Sequence, residues 1–450
     1  MKTNKEKKQL DLGKDPIIAL LFKMSLPSVV AMLVIAIYNV VDTFWIAKIS
    51  PEAIAALTIC FPIQMVLGGI GVGTGVGAGS FASRMLGAED YSKANGTAGQ
   101  IIFLSAFLGI IIVVSGTIFC DPVLRFFGAT ENILPLSRRY LEIAVFGAPF
   151  LFFMMMSDHL FRAEGNPNIP MFVIITSAVL NAILDPFLIF GWGPFPELGI
   201  RGAAIATVIA QSLSFFLSTY FLFSHRSRFH VRLKDITPKW SIILPIYHVG
   251  LPSFISNLAM SAVLVVYNHR LGDFGYLAIA TLGLNFRING ILMMVFFGIG
   301  HGVMPVTGFN YGARNYNRIR EIARVTTKFS ALIGGLSYLL IEIFARSLLE
   351  AFTHDPELLS IAVPALRIYV ATQILTGPMI VWINILLGMG KGLTAMTLMV
   401  GRQFLLVVPF IYIIPIYFGL NGVWMAQPVT NVISFFIILV WIKIEMRRLM

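Results

Sequence analysis

The chain has 450 residues, of which 57% are hydrophobic and only 12% are charged. A water-soluble protein carries about twice that charged fraction because its solvated surface needs charge, so this composition excludes a soluble globule. The formal net charge of +11 could suggest a nucleic-acid partner. The basic residues, however, are concentrated at the ends of apolar segments, which is typical of a membrane protein and argues against nucleic acid.

Apolar segments long enough to cross a lipid bilayer recur along the whole chain. They lack the alternation of apolar and polar residues that membrane barrel strands need, so helices are predicted. The predicted spans are 17–47, 52–83, 96–119, 135–161, 169–190, 201–223, 241–269, 277–310, 323–348, 358–387, 393–415 and 422–442. Ser50-Pro51 and Asp355-Pro356 each place a capping side chain before a proline suited to the first helical turn.

The two halves of the sequence repeat one another. Recurring segments are 26–28 and 251–253, 38–39 and 267–268, 87–91 and 312–316, and 210–211 and 426–427. We therefore predict an all-α integral membrane protein with twelve transmembrane helices in two pseudo-symmetric six-helix lobes. The predicted domains are an N-lobe at 1–223, an interlobe linker at 224–240 and a C-lobe at 241–450. Transporters built from such repeats bind substrate near the midplane of the membrane.

Lys and Arg residues are distributed unequally between the two predicted faces of the membrane. The face that would hold both termini, including Lys2, Lys5, Lys7, Lys8 and Arg226, has about three times as many as the other. This bias predicts a multi-pass membrane protein with both termini in the cytoplasm. Cys60 and Cys120 offer neither a disulfide framework nor metal-ligand spacing.

Asp42 is the first candidate for chemistry, because a carboxylate inside a membrane span is costly and usually functional. Tyr38 lies four residues earlier and shares its helix face. The alternative is that Asp42 lies near the outer interface and makes only a local pair.

Asp185 is the second candidate, in the fifth span, with Asn181 one helical turn before it. Its alternative role is to satisfy the backbone at a kink caused by Pro186. Two buried carboxylates suit proton coupling, since they can share a proton and titrate as a unit. The same oxygens, with Asn181 and the Thr207 hydroxyl, could instead coordinate Na⁺.

The second half is predicted to carry buried positive charge at Arg287, Arg367 and Arg402. These arginines either have a function, or they pair with a carboxylate or extend to the interface. Methionine-rich segments offer an adaptable apolar lining. The residues predicted from helix faces to line a substrate site are Asn39, Gln64, Phe153, Met156, Arg287 and Met293. Gly69, Gly73 and Gly77 fall four apart, which predicts close helix packing and no nucleotide loop. No ATPase module, cofactor or metal spacing is found, so an ion gradient is the expected energy source.

The first span, the glycine-rich second span followed by segment 87–91 (GAEDY), and Asn181 with Asp185-Pro186 resemble the MATE family of multidrug and toxic compound extruders. The resemblance covers nearly the whole chain and is closest to the bacterial DinF-type branch, which implies a location in a bacterial inner membrane. It implies that Asp42, Asn181 and Asp185 form the cation site and that Tyr38 supports it. It also implies a helix bend at Pro27 and, less directly, a role for Thr207.

The resemblance implies export of cationic or amphipathic compounds in exchange for H⁺ or Na⁺. The NorM-type branch uses acids on its seventh and tenth helices, whereas here the seventh span has no acid and the tenth has Arg367. This departure favours protons. We expect a monomeric, proton-coupled multidrug antiporter that is not an enzyme, because no clustered acid/base or metal constellation is found. A Na⁺-coupled antiporter and a lipid-linked precursor flippase are the alternatives.

Overall fold

A computed structural model describes residues 10–225 and 227–449, and these residues form helices without any strand. Lys2, Lys5, Lys7, Lys8 and Arg226, on which part of the predicted charge bias rests, lie outside the described residues. The helices are α1 (Ile17–Ala47), α2 (Pro51–Gly87), α3 (Tyr91–Ile118), α4 (Cys120–Phe126), α5 (Leu134–Ala144), α6 (Ala148–Ala163), α7 (Asn168–Phe190), α8 (Ile200–Phe223), α9 (Leu233–Ile236), α10 (Trp240–Gly272), α11 (Tyr276–Gly312), α12 (Tyr316–Glu350), α13 (Pro356–Val370), α14 (Gln373–Gly388), α15 (Gly392–Gly401) and α16 (Val408–Arg447).

The number of membrane crossings follows from the lengths of these helices. Within the described part of the chain, ten helical segments are long and apolar enough to cross a membrane, and α13 with α14 form another span bent by 49°. One of the ten, Gly392–Arg447, has 56 residues, whereas a span needs about 20. Gly419 interrupts it with φ 55° and ψ −139°, a conformation that favours glycine. Counting its two parts separately gives the twelve predicted spans and confirms the all-helical membrane fold.

Helices begin where the sequence places capping side chains. The Ser50 hydroxyl accepts a hydrogen bond from the Ala53 N–H at 3.2 Å, and Asp355 accepts one from the Glu357 N–H at 2.9 Å. In each case a proline occupies the first turn, where no backbone donor is needed. Both predicted starting points are confirmed.

The first compact unit comprises residues 30–254 and the segment that ends at Asp11. Its helices approach closely along the glycines of α2. A Cβ atom at Gly73 would lie 2.9 Å from the Gly250 carbonyl oxygen, and one at Gly77 would clash with the Ile246 carbonyl. The predicted packing role of this glycine series is thereby confirmed at α10.

The connection between α8 and α10 is held against the first unit by two buried polar side chains. Gln100 on α3 donates to the carbonyl oxygens of Asp235 and Thr237, both at 2.8 Å, and accepts from the Lys239 N–H at 3.0 Å. At the end of α6, Glu164 accepts from the Ser227 hydroxyl at 3.1 Å and from the Arg228 N–H at 2.7 Å. This connection is therefore a structured part of the first unit.

The second compact unit comprises residues 12–29 and the chain from Ile255 onward. Asn310 on α11 donates to the Leu12 carbonyl oxygen at 2.9 Å. A Cβ atom at Gly298 would lie 2.6 Å from the Cα of Val29, so α11 has a glycine where the beginning of α1 packs. The compact units thus divide the chain differently from the predicted limits at 223 and 241, because 12–29 packs with the second unit and 224–254 with the first.

Backbone conformation sets the register of the repeat. Gly199 before α8 and Gly419 within α16 have nearly the same conformation, with φ 56° and 55°. Three residues after these glycines, a second glycine packs against the preceding helical segment in each half. Gly202 packs against Leu188, and Gly422 packs against Ile414 and Pro415. This register aligns Thr207 with Gln427, so the predicted pairing of 210–211 with 426–427 is wrong. The predicted pairing is displaced by one helical turn, so the paired residues lie on the same face of the helix but at different depths along it.

The same correction applies to the first helix of each half. α1 and α10 continue without interruption beyond Pro27 and Pro252. Tyr267 lies as many residues after Pro252 as Asp42 lies after Pro27. Tyr267 therefore aligns with Asp42, and the predicted match of 38–39 with 267–268 is again displaced by one turn.

Candidate cation-coupling site

Asp185 and Asn181 lie one turn apart on α7, and both are almost completely buried, with 0% and 1% exposure. The Asn181 amide is oriented by its hydrogen bonds: Nδ2 donates to Asp185 Oδ2 at 3.1 Å, and Oδ1 accepts from the Thr207 N–H at 3.2 Å. Asn181 therefore connects the carboxylate on α7 to the backbone of α8.

Thr207 connects the same site to α1. Its hydroxyl donates to the Ala203 carbonyl oxygen at 3.0 Å, so its lone pairs are available to accept. The Tyr38 hydroxyl forms a hydrogen bond with this side chain. Asp42 lies one turn after Tyr38 and is close enough to Asp185 for the two charges to interact. The structure thus brings together Tyr38, Asp42, Asn181, Asp185 and Thr207.

Both carboxylates retain an unsatisfied oxygen. Among the described residues, no hydrogen-bond partner reaches the buried Oδ1 atoms of Asp42 and Asp185, and neither acid forms an ion pair with a described side chain. Because buried polar atoms are nearly always paired, these two oxygens are unusual, and they lie at the two acids that the sequence singled out. The alternative that Asp42 makes only a local pair is not what the structure shows.

Tyr140 is a neighbour of the site that sequence reasoning missed. Its hydroxyl accepts a hydrogen bond from Gln64 Nε2 at 2.8 Å, and its electrostatic neighbours include Asp42 and Tyr38. Tyr140 lies inside the predicted span 135–161, just after Arg138 and Arg139. Its 2% exposure places it inside the first unit.

The other predicted residues lie in different surroundings. Phe153 and Met156 on α6 are buried inside the first unit, where the Phe153 ring packs 5.0 Å from that of Phe215. Asn39 is exposed, Met293 is partly buried and Pro27 is buried within the unbroken α1. Contact of any of these residues with a substrate, and a bend at Pro27, stay predictions.

The arginines in the second half differ from one another. Arg287 is exposed, which corrects the prediction that it is buried. Arg367 is also partly exposed and pairs with Glu342 at 3.4 Å, which confirms the ion-pair alternative for this residue. Arg402 is partly buried and donates from Nη2 to Asn431 Oδ1 at 2.7 Å.

The second unit has no carboxylates at the positions equivalent to Asp42 and Asp185. Tyr267 aligns with Asp42, and the equivalent packing of Gly202 on Leu188 and of Gly422 on Ile414 aligns Asp185 with Ile411. Tyr267, Val407, Ile411 and Trp424 belong to one buried hydrophobic cluster. The paired carboxylates are therefore a property of the first unit alone.

A metal centre built from conventional ligands is not found in the described chain. Residues 10–225 and 227–449 contain no group of three His, Cys, Asp or Glu side chains arranged to hold a metal ion. What the site offers is two carboxylates with a tyrosine, an amide and a hydroxyl, which is chemistry for taking up and releasing a small cation.

Comparison with known proteins gives the family. The family model described as MatE matches residues 27–187 and 252–413. The chain belongs to the MatE family. The matched ranges are the two halves of the repeat, and the MATE resemblance read from the sequence is confirmed. Its closeness to the DinF-type branch stays a prediction.

Individual members of the MatE family resemble the chain over nearly its whole length. It is 28% identical over 421 residues to the FAD transporter of Shewanella oneidensis, which covers 93% of this chain and 92% of that one. It is 29% identical over 414 residues to the multidrug export protein MepA of Staphylococcus aureus, covering 91% and 90%. A MATE family multidrug resistance transporter of the MOP superfamily, solved in an outward-facing conformation, superposes with a TM-score of 0.92 at 27% identity, covering 98% of this chain and 99% of that one.

Proposed function

We propose that this MatE protein is a secondary active exporter that exchanges cationic or amphipathic small molecules for protons. The observation that carries the proposal is the pair of carboxylates formed by the partly buried Asp42 and the buried Asp185, each with one buried and unpartnered oxygen. MepA, a relative over the whole chain, is named a multidrug export protein. We further propose a monomer, a location in a bacterial inner membrane because the relatives are bacterial, and cytoplasmic termini because of the charge bias.

Protons suit the site better than Na⁺. The Asn181 carbonyl oxygen accepts from the Thr207 N–H, and the Thr207 hydroxyl is bonded to both Ala203 and Tyr38. Internal hydrogen bonds thus take up one of the two lone pairs on each neutral oxygen that a metal ion would need as a ligand. A proton needs only one carboxylate oxygen, and two adjacent carboxylates can share it.

The proposed cycle couples protonation to the shape of α1. Protons from outside neutralise Asp42 and Asp185, which removes their mutual repulsion and allows the side chains to donate hydrogen bonds. Since Pro27 lacks an N–H, α1 bends most readily there, and bending expels the substrate. Release of the protons on the other side restores the first state. One pH unit supplies about 1.4 kcal/mol per proton, and 100 mV adds about 2.3 kcal/mol.

The test is transport of a fluorescent organic cation into inverted vesicles under an imposed pH gradient and, separately, under a Na⁺ gradient. We expect transport with the pH gradient alone, and its loss in Asp42→Asn and in Asp185→Asn. Asp273→Asn is the matched control, because this exposed acid pairs with Arg270 outside the site. Transport that requires Na⁺ would overturn the proposed ion, and normal export by both site variants would overturn the proposed mechanism.

A further inference from the structure

Arg402 is a cation inside a membrane span of the second unit, in an aromatic and amide environment. It begins the π-helical segment Arg402–Val407, a distortion that is frequent at functional sites. Its charge interacts with the hydroxyl groups of Tyr267 and Tyr369. Both tyrosines are buried, whereas Arg402 itself retains some exposure.

A carboxylate partner for Arg402 is missing from the described part of the second unit. The acids there lie towards helix ends or in loops, at Asp15, Asp273, Glu321, Glu342, Glu350, Asp355, Glu357 and Glu445. Several of them pair with other basic residues, including Glu342 with Arg367 and Glu445 with Lys391. Arginines inside membrane spans are costly and normally have an anionic or carbonyl partner, so the charge of Arg402 is not balanced by a described carboxylate.

Hydrogen bonds hold Asn431 in position beside the Arg402 guanidinium. Asn431 Nδ2 donates to the Thr372 hydroxyl at 2.8 Å and to the Thr376 hydroxyl at 3.4 Å, while its Oδ1 accepts from Gln427 at 3.3 Å and from Arg402. Asn431 is 3% exposed. Because its amide is engaged on both sides, it fixes the position of the guanidinium that donates to it.

Two buried donors next to each other remain unused. Among the described residues, neither Arg402 Nε nor the Tyr267 hydroxyl has a hydrogen-bond partner, and Tyr267 interacts electrostatically with Arg402. A buried donor without an acceptor is rare, and a guanidinium beside a hydroxyl matches the geometry of carboxylate and phosphate oxygens.

We propose that Arg402 and Tyr267 form an anion-binding site that takes the carboxylate or phosphate group of an amphipathic molecule. Arg402 supplies the charge and Tyr267 a second hydrogen bond, while Asn431 positions the guanidinium. The inference deepens the proposed function, since it adds zwitterionic and anionic amphiphiles to the cations as substrates. It assigns cation coupling to the first unit and anion recognition to the second.

The test is equilibrium binding of two matched dyes to the full-length protein in micelles of dodecyl maltoside, a detergent that carries neither phosphate nor carboxylate. One dye is a rhodamine with a free carboxylate, and the other is its ethyl ester, which has the same ring system without the anion. For Arg402→Gln we expect about tenfold weaker binding of the free acid, because a charge-assisted hydrogen bond is lost, with binding of the ester changed less than twofold. Arg402→Lys should restore part of the affinity for the acid.

Arg367→Gln is the matched control, since this arginine also lies in a span of the second unit but already pairs with Glu342. Tyr267→Phe keeps the buried ring and removes only the hydroxyl, so it tests the site without disturbing the core. It should weaken binding of the acid several-fold and leave the ester unaffected. Equal losses for acid and ester, or no loss in either variant, would overturn the proposal.

Addition of phosphatidylglycerol to the micelles distinguishes the two sources of such an anion. Competition by this lipid would identify headgroup phosphate as the occupant, and unchanged binding of the acid would identify a dissolved amphiphile. No ion gradient is present in this assay. The outcome is therefore independent of whether export is coupled to protons, which the vesicle experiment decides.

Discussion

The Asn181 amide donates to the Asp185 carboxylate across 3.1 Å, from one turn earlier on the same helix. The opposite side of that amide accepts from the Thr207 N–H, so a single side chain orients the acid and joins α7 to α8. Loss of the amide would leave Asp185 without this donor among the described residues. Asn181 is therefore a positioning residue for the proposed proton site.

Replacing Asn181 with Leu should slow pH-driven export by about tenfold or more, because one hydrogen bond to a buried charged group contributes about 1.5–3 kcal/mol. The measurement is the initial rate of dye transport in inverted vesicles at several imposed pH gradients. Ser177→Ala is the control, since Ser177 also bonds α7 to α8, through the Ala210 carbonyl oxygen at 2.9 Å, but away from the acids. Equal slowing in both variants would attribute the effect to helix packing.

Close approach of α2 and α10 predicts a large effect of one methyl group. Gly77→Ala should lower the free energy of unfolding by about 1–3 kcal/mol, because the new Cβ would clash with the Ile246 backbone carbonyl. Gly283→Ala on α11 is the matched control, since no atom lies within 4 Å of its Cβ position. The free energy of unfolding of the control should equal that of the wild type or exceed it by up to about 1 kcal/mol. Thermal unfolding in detergent measures both, and a Gly77→Ala variant as stable as the control would contradict the packing.

The three hydrogen bonds of Gln100 predict how the connection between α8 and α10 responds to protease. Gln100→Leu should release the segment around α9, so that trypsin cleaves after Lys234 and Lys239 about tenfold faster or more. Limited proteolysis followed by mass spectrometry locates the cuts. Thr97→Val is the control, because the Thr97 hydroxyl bonds only to the Lys93 carbonyl within α3. Unchanged cleavage in Gln100→Leu would mean that other contacts hold the segment.

Glu164 predicts a pH dependence of stability. It lies just beyond the span that ends at Ala163, and burial raises its pKa from 4.5 to about 7, against hydrogen bonds from Arg228 and Ser227 that lower it. The folded protein therefore binds this proton more tightly than the unfolded chain. Protonation of Glu164 therefore contributes on the order of 3 kcal/mol to the free energy of unfolding. This contribution is fully present below pH 4.5 and is lost as the pH rises through about 7.

The corresponding experiment compares thermal unfolding of wild type and Glu164→Gln between about pH 5 and pH 8. The glutamine keeps an acceptor for Arg228 and does not titrate, so its stability should depend less on pH. Glu131→Gln, at an exposed acid paired with Arg125, should follow wild type. If the slopes of wild type and Glu164→Gln are the same, another group is responsible for the pH dependence.

Features that depend on a short stretch of chain could be predicted from the sequence. Span lengths, the caps at Ser50 and Asp355, and the pairing of Asn181 with Asp185 on one helix face are all local properties. The grouping of Asp42 with Asp185 rested on the cost of burying charge in a membrane and on the family resemblance.

Features that depend on distant residues could not be predicted in this way. Arg402 bonds to Asn431 from 29 residues away, and Asn431 bonds to Thr372 across 59 residues. Tyr140 was missed because its hydrogen-bond partner, Gln64, lies 76 residues away in the sequence. The predicted alignment of the two halves was displaced by one helical turn, because a dipeptide match one turn away still lies on the same helix face. The depth of a residue in the helix is fixed by the register of Gly199 and Gly419, which the dipeptides do not show.

The packing of residues 12–29 with the second unit has a consequence for how the protein can be produced. A gene divided in the connection between α8 and α10 would place this segment on one polypeptide and the glycines of α11 that receive it, Gly298 and Gly302, on the other. Neither polypeptide would complete its core by itself. Only co-expression of the two would yield stable protein, so the duplicated halves no longer act as separable modules during biogenesis.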